Sequence, residues 1–271
     1  MQENEIKEKK YTISESKDFK PIILIVDDNI EILNYIVDTF AHQYIIETAL
    51  DGEEGLAKAR RIIPNLIITD LMMPKMNGME LCTALKADAF TNHIPILVLS
   101  AKNEFEVQLK SIEVGAFDFI PKPFNKEMLF LKVRTLLKAQ EKYKNYLKDQ
   151  LEKTPLTVSH KPEDTFMLAI HKILEENYKN YEFNVEQFAW EMNCSRSQLF
   201  RKMKAITDTS PVEYIKVYRL KRAMEFIENG FDRVSELAYN VGFNDPMYFS
   251  NCFKAYYGVT PNVLIKEKKN S

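Results

Sequence analysis

Five residues in the first half of the chain have types and spacing suited to work on a phosphoryl group: Asp27, Asp28, Asp70, Ser100 and Lys122. Each lies at the end of a short apolar run rich in β-branched residues. Three carboxylates brought to one place repel one another unless a cation sits among them. Oxygen-rich, thiol-free surroundings favour a hard ion such as Mg²⁺, held by one or two carboxylates together with water and phosphate. A lysine and a hydroxyl at the same edge can hold phosphoryl oxygens as they gain charge. The chemistry such a set suggests is in-line phosphoryl transfer to a carboxylate nucleophile. Any one of these residues, taken alone, reads as a solvated strand end; the five together favour the reactive reading.

The elements that must position them follow from periodicity. The apolar runs are Ile22–Val26, Tyr44–Thr48, Leu66–Thr69, Ile96–Leu99 and Phe117–Ile120. Helix-period stretches lie between and after them, at Ile30–Phe40, Glu53–Ile62, Gly78–Lys86, Glu104–Val114 and Lys126–Leu137. Five strands alternating with five helices imply a doubly wound parallel sheet, covered on both faces. Ligands of such sheets bind beyond the carboxyl ends of the strands, where the five residues fall.

Residues 21–138 resemble a response-regulator receiver domain. The resemblance rests on Val26-Asp27-Asp28-Asn29, on Asp70-Leu71-Met72-Met73-Pro74-Lys75-Met76-Asn77-Gly78, on Leu99-Ser100-Ala101 and on Pro121-Lys122-Pro123-Phe124. Ser100 and Lys122 stand 30 and 52 residues beyond Asp70, as in receivers. The resemblance implies that Asp70 is the phosphoacceptor and that Asp27, Asp28 and Asp70 gather Mg²⁺, with the Met72 carbonyl as a further ligand. It implies that Ser100 is a switch hydroxyl, that Lys122 contacts the phosphoryl group, and that the Lys122–Pro123 bond is cis. Phe119 falls where the family places a rotating aromatic switch; a structural Phe in the fifth strand is the alternative. Met72 and Lys102 hold the positions that flank the path of the hydrolytic water, so an apolar Met72 is expected to slow loss of the phosphoryl group.

Composition narrows the function classes. With 45% hydrophobic and 28% charged residues the chain has a soluble, globular profile. No window approaches the ~18 consecutive apolar residues of a membrane span. Met1–Lys20 is a charged run without a signal-peptide centre. The cytoplasm is expected, with no membrane contact within this chain. Cys82, Cys194 and Cys252 form no CxxC pair and read as buried thiols rather than a disulfide framework or zinc site. Seven glycines supply neither a phosphate loop nor a nucleophile elbow, which argues against a metabolic enzyme. Phosphoryl transfer to, and loss from, Asp70 is the only chemistry expected.

Residues 1–20 read as disordered or linker, and 139–163 as a helical extension and linker, with two prolines in Thr154–Asp164. Leu136, Tyr143, Leu147 and Leu151 could form a short dimer seam or an exposed connector. From Phe166 onward the pattern is helical throughout: Phe166–Asn177, Val185–Met192, Ser195–Ile206 with Ser195 as N-cap, a long helix from Pro211 to about Asn229, then Val234–Val241 and Pro246–Tyr257. Two helix-turn-helix units joined by one long helix can present two recognition helices to successive major grooves of DNA. Between Ser195 and Arg222 eight Lys or Arg residues face only Asp208 and Glu213, a fair electrostatic footprint for nucleic acid. In the first recognition helix Leu199, Met203 and Ile206 should face the core, leaving Arg196, Ser197, Arg201 and Lys204 outward. In the second, Phe249, Phe253 and Tyr256 should face inward, leaving Met247, Ser250, Asn251 and Lys254 for DNA. Trp190 reads as core.

Residues 164–268 resemble the AraC-type DNA-binding domain, chiefly through the stretch from Ala238-Tyr239-Asn240-Val241-Gly242-Phe243 to Ser250-Asn251-Cys252-Phe253-Lys254, and Tyr257-Gly258-Val259-Thr260-Pro261 after it. Pro246 and Met247 stand where some members carry more polar residues, which weakens base reading by the second unit. Together the two resemblances imply a phosphorylation-controlled, sequence-specific transcription regulator, more often an activator. Its partners would be double-stranded DNA, a histidine kinase, a second copy when phosphorylated and RNA polymerase. The same order of domains ends hybrid two-component sensors, so a standalone regulator and a piece of such a sensor both stay open. An adaptor that uses the helical fold only for protein contacts is the competing reading, and salt-sensitive DNA binding separates the two.

Overall fold

A computed structural model describes residues 20–101, 118–153 and 165–269. The expected helix Glu104–Val114, Lys102, the linker at 154–164 and the first nineteen residues lie outside them. Five parallel strands form one sheet in the order β2-β1-β3-β4-β5: β1 Ile22–Val26, β2 Ile45–Ala49, β3 Leu66–Asp70, β4 Ile96–Ala101 and β5 Asp118–Lys122. Side chains alternate across a strand, and this sheet uses both faces. Leu24, Val26, Ile67, Ile96 and Val98 enter the core on one face. Ile23, Ile25, Leu66, Ile68, Leu97 and Leu99 enter the core on the other. That is why the strands read as continuous apolar runs rather than as alternation.

Four described helices belong to this half: α1 Ile30–Phe40, α2 Gly52–Ile62, α3 Gly78–Ala87 and α4 Lys126–Lys153. Asn29, Asp51 and Asn77 cap the first three, each side chain accepting from amides of its helix's first turn. The expected extension continues the helix after β5, so that α4 runs unbroken for 28 residues. Leu136 packs in the core beneath the sheet and so drops out of the apolar stripe, while Tyr143 is exposed. The side chains of Leu147 and Leu151 lie outside the described residues.

The second half is helical: α5 Thr165–Asn177, α6 Val185–Glu191, α7 Arg196–Thr207, α8 Pro211–Glu228, α9 Val234–Asn240, α10 Pro246–Tyr257 and α11 Pro261–Lys269. One apolar cluster, from Phe166 to Ile265, joins all seven. The two helix-turn-helix units repeat each other bond for bond. In the first turn Asn193 N donates to Trp190 O and Cys194 N to Ala189 O; in the second, Gly242 N donates to Tyr239 O and Phe243 N to Ala238 O. Asn193 (φ 52°) and Gly242 (φ 82°) both take the left-handed conformation that such a turn requires. Trp190 corrects its expectation: it is 79% exposed. Helix α6 has only seven residues, and Phe188 with Ala189 suffices as its buried face, which turns Trp190 outward.

Of the thiols, Cys82 is buried and Cys194 and Cys252 are half-buried. Burial pushes the Cys82 thiol up to about 12. At pH 8 its thiolate fraction is then on the order of 10⁻⁴, so iodoacetamide should leave Cys82 unmodified in the native protein and alkylate it after denaturation. Peptide mass mapping reads both states.

Candidate functional site

Parallel strands bring their carboxyl ends to one edge. Asp27 and Asp28 follow β1, Asp70 closes β3, Ser100 is in β4 and Lys122 closes β5. Carboxylate oxygens of Asp27, Asp28 and Asp70 lie within 4.8 Å of one another. Lys122 Nζ stands 2.6 Å from Asp70 Oδ1 and 3.1 Å from Asp27 Oδ2. The backbone supplies further donors: Asn29 N to Asp27 Oδ1 at 2.9 Å and Met72 N to Asp70 Oδ2 at 3.3 Å. Asp27 is fully buried, and this burial holds its carboxyl above the usual carboxylate range against the opposing pull of the Asn29 amide and of Lys122. Burial alone would lower the Lys122 ammonium, but its hydrogen bonds and charge interactions with Asp70 and Asp27 outweigh that and raise it.

Ser100 Oγ is buried and has no hydrogen-bond partner among the described residues. A buried donor left unmet at this edge suits an incoming ligand oxygen. The loop after Asp70 is closely packed: a Cβ on Gly78 would fall 2.3 Å from the Asp70 carbonyl oxygen, so only glycine lets α3 begin there. Lys75 pairs with Asp51 at 2.5 Å, tying this loop to the start of α2. The arrangement offers Asp70 as nucleophile, flanked by an ammonium, a hydroxyl and an amide. Three carboxylates against one ammonium leave a negative excess that a hard divalent ion fits. Phe119 is half-buried against the core under α2 and α3.

In the helical half Leu199, Met203 and Ile206 are buried, and Arg196, Ser197, Arg201 and Lys204 are exposed on α7 as expected. Arg196 pairs with Glu186 at 2.5 Å and Lys204 Nζ donates to the Asp208 carbonyl at 2.6 Å. On α10, Phe249 and Phe253 are buried and Met247, Asn251 and Lys254 are exposed. Ser250 is half-buried, its hydroxyl donating to the Pro246 carbonyl at 2.9 Å. The basic footprint is smaller than its sequence count, because Lys202 is fully buried and Lys221 nearly so.

Residues 23–134 match the response regulator receiver domain family, and residues 188–267 match a helix-turn-helix domain family. The chain carries a receiver domain and, after it, a helix-turn-helix domain. It is similar to histidine kinase P4 of Formosa agariphila, with 36% identity over 245 residues, 90% of this chain but 18% of that protein. It is similar to the response regulator PleD of Caulobacter vibrioides, with 40% identity over 117 residues, 42% of this chain and 25% of PleD. The chain thus spans a quarter or less of these curated relatives. Among solved structures, the Vibrio cholerae chemotaxis response regulator CheY4 has 35% identity and a TM-score of 0.41, covering 43% of this chain and 98% of that one.

The carboxylate set of the receiver domain is that of a receiver Mg²⁺ site. No helix among the described residues is long and apolar enough to cross a membrane. Sequence reasoning quoted Asn29 within a motif but missed its cap, which fixes the turn that carries Asp27 and Asp28, although Asn before a helix-period run is a cap signal. It also missed Gln198 and Lys202 on the first recognition helix, which carry no local mark of their partners.

Proposed function

We infer that this chain is a phosphorylation-dependent, sequence-specific DNA-binding regulator of a two-component pathway, taking a phosphoryl group on Asp70 from a histidine kinase. The observation that carries the reading is the convergence of Asp27, Asp28, Asp70, Ser100 and Lys122 in a chain that also holds two helix-turn-helix units. An Asp70 oxygen attacks phosphorus, a P–O bond forms as the P–N bond of the phosphohistidine breaks, and the leaving imidazole takes up a proton. Lys122 and Ser100 hold the phosphoryl oxygens as charge builds on them. Mg²⁺, when bound by Asp27, Asp28, Asp70 and the Met72 carbonyl, supplies neutralising charge to the same oxygens.

The helical half, residues 164–268, is read as AraC-type, with Arg196, Ser197, Arg201 and Lys204 on the first recognition helix and Met247, Ser250, Asn251 and Lys254 on the second. Ser100 and Phe119 convey the change from the receiver, residues 21–138. The active form pairs as a homodimer on two half-sites and acts chiefly as an activator beside RNA polymerase. The Formosa agariphila match runs through both halves, which favours the C-terminal portion of a hybrid sensor.

Sedimentation with Mg²⁺, with and without beryllofluoride, tests the reading beside an Asp70→Asn control. A monomer that dimerises only with beryllofluoride, and only with Asp70 present, is the expected result. No response of mass, or of salt-sensitive duplex binding, would sink it. Met72 is 71% exposed beside the phosphoacceptor, where it screens the approach of water. Met72→Asn should shorten the lifetime of phospho-Asp70 by roughly threefold or more, read by intact mass against time; equal decay removes the screening role.

A further inference from the structure

Part of the first recognition helix lies against the receiver domain. Its Gln198 Nε2 donates to the Arg60 carbonyl at 3.2 Å, and Arg201 donates to the Arg61 carbonyl, both at the end of α2. One turn along, Lys202 reaches the loop between α3 and β4, with Nζ 3.1 Å from Asn92 Oδ1 and 2.8 Å from His93 Nδ1. The same ammonium lies 5.2 Å above the Phe166 ring, and Phe166 packs edge-on against Phe90 of the receiver domain at 5.2 Å. At the far end of α7, Lys144 of α4 pairs with Asp208, the C-cap, at 3.0 Å.

We propose that the chain stores its first recognition helix against its own receiver domain, in a contact that must open before α7 can enter DNA. A major groove is about 12 Å wide and holds a helix with sugar–phosphate backbones on either side. Gln198 and Arg201 cannot reach base edges while α2 carbonyls occupy them. The cleft between α2 and the start of α7, lined by Arg60, Arg61, Ser197 and Arg201, measures about 470 Å³ and is far too small for a duplex. The contact is built rather than incidental, because Lys202 is fully buried in it. His93 supports this: burial, then Lys202 and Lys86, hold its imidazole well below the usual value, which leaves Nδ1 able to accept from Lys202.

The position of the contact matters. The end of α2 and residues 92–93 lie where the parallel strands begin, at the sheet edge opposite Asp70. Helix α4 spans the two regions: it starts four residues after Lys122 and carries Lys144 to α7. The storage contact is therefore linked to the phosphoacceptor edge along α4 and also along α2, whose start Lys75 ties to the loop after Asp70.

This proposal rests on the DNA-binding reading, and the test separates the two. The 271-residue wild-type chain, the double variant Asn92→Ala/His93→Ala and the single variant Lys144→Glu are compared without phosphorylation. The readouts are hydrogen exchange in α7 and anisotropy of a fluorescein-labelled random-sequence duplex. Both variants leave the α7 residues intact. Expected are faster exchange in α7 and duplex binding on the order of tenfold tighter than wild type. Faster exchange with no duplex binding by any of the three upholds the contact and overturns the DNA-binding reading. Exchange and binding equal to wild type overturn the proposal. If the double variant no longer takes up a phosphoryl group at Asp70, and so is misfolded, Lys144→Glu alone decides.

Discussion

Lys122→Met should slow phosphoryl uptake at Asp70 by roughly a hundredfold to a thousandfold, the usual effect of removing one donor aimed at developing charge. Wild-type Lys122 already stands 2.6 Å from one Asp70 oxygen and 3.1 Å from Asp27, beside the group that takes the phosphoryl. Methionine keeps the length of the stem and removes only the charge. A second consequence has a definite sign. Asp27 is held above the ordinary carboxylate range by burial, and Lys122 is among the groups that oppose this. Without the ammonium its carboxyl should rise further. A carboxyl whose folded value exceeds its unfolded value makes the folded state take up protons more readily. In EDTA the variant should therefore be favoured at acid pH and lose stability as pH rises from about 4 through the raised Asp27 value. Wild type should show a shallower loss. Intact-mass time courses with a small phosphoryl donor read the first effect, and thermal midpoints against pH read the second. Uptake within threefold of wild type would remove Lys122 from the transfer.

The receiver edge was legible because every residue in it sits at a strand end, and strand ends follow from apolar runs bounded by acids. β1 and β3 bury consecutive residues on both faces, which makes the runs unmistakable. What local pattern cannot carry is a partner from another domain. Lys202 reads as a solvated cation because nothing in Arg196–Thr207 announces Asn92 or His93. Trp190 reads as core because its size and its neighbours are apolar, yet a seven-residue helix has room for one buried face only. Helix α11 went unread because Lys266, Lys268 and Lys269 mask its period, although Pro261 at its first position was a signal. The unmet hydroxyl of Ser100 is visible only once its surroundings are known.

The two halves should fail separately, and Gly242→Val tests this with the largest expected loss of fold. Gly242 has φ 82°, and a Cβ there would lie 2.1 Å from the Tyr178 carbonyl oxygen and 2.9 Å from Arg219 Nε. That carbonyl accepts from Arg219 Nε at 3.0 Å, while Arg219 Nη2 donates to the Asn180 carbonyl at 2.7 Å. Valine would pay for a left-handed β-branched residue and also push apart the clamp between α8 and the segment after α5. The combined cost should be about 4 kcal/mol or more, large against the stability of a domain this size. Duplex binding should disappear and the helical half should melt at lower temperature. Phosphoryl uptake at Asp70 should persist, because every atom that the new side chain meets belongs to the helical half. Asn193 occupies the equivalent place in the first unit at φ 52°, and asparagine tolerates that conformation. Asn193→Gly should therefore change stability little, and a large loss there would show that the two turns are not equivalent after all.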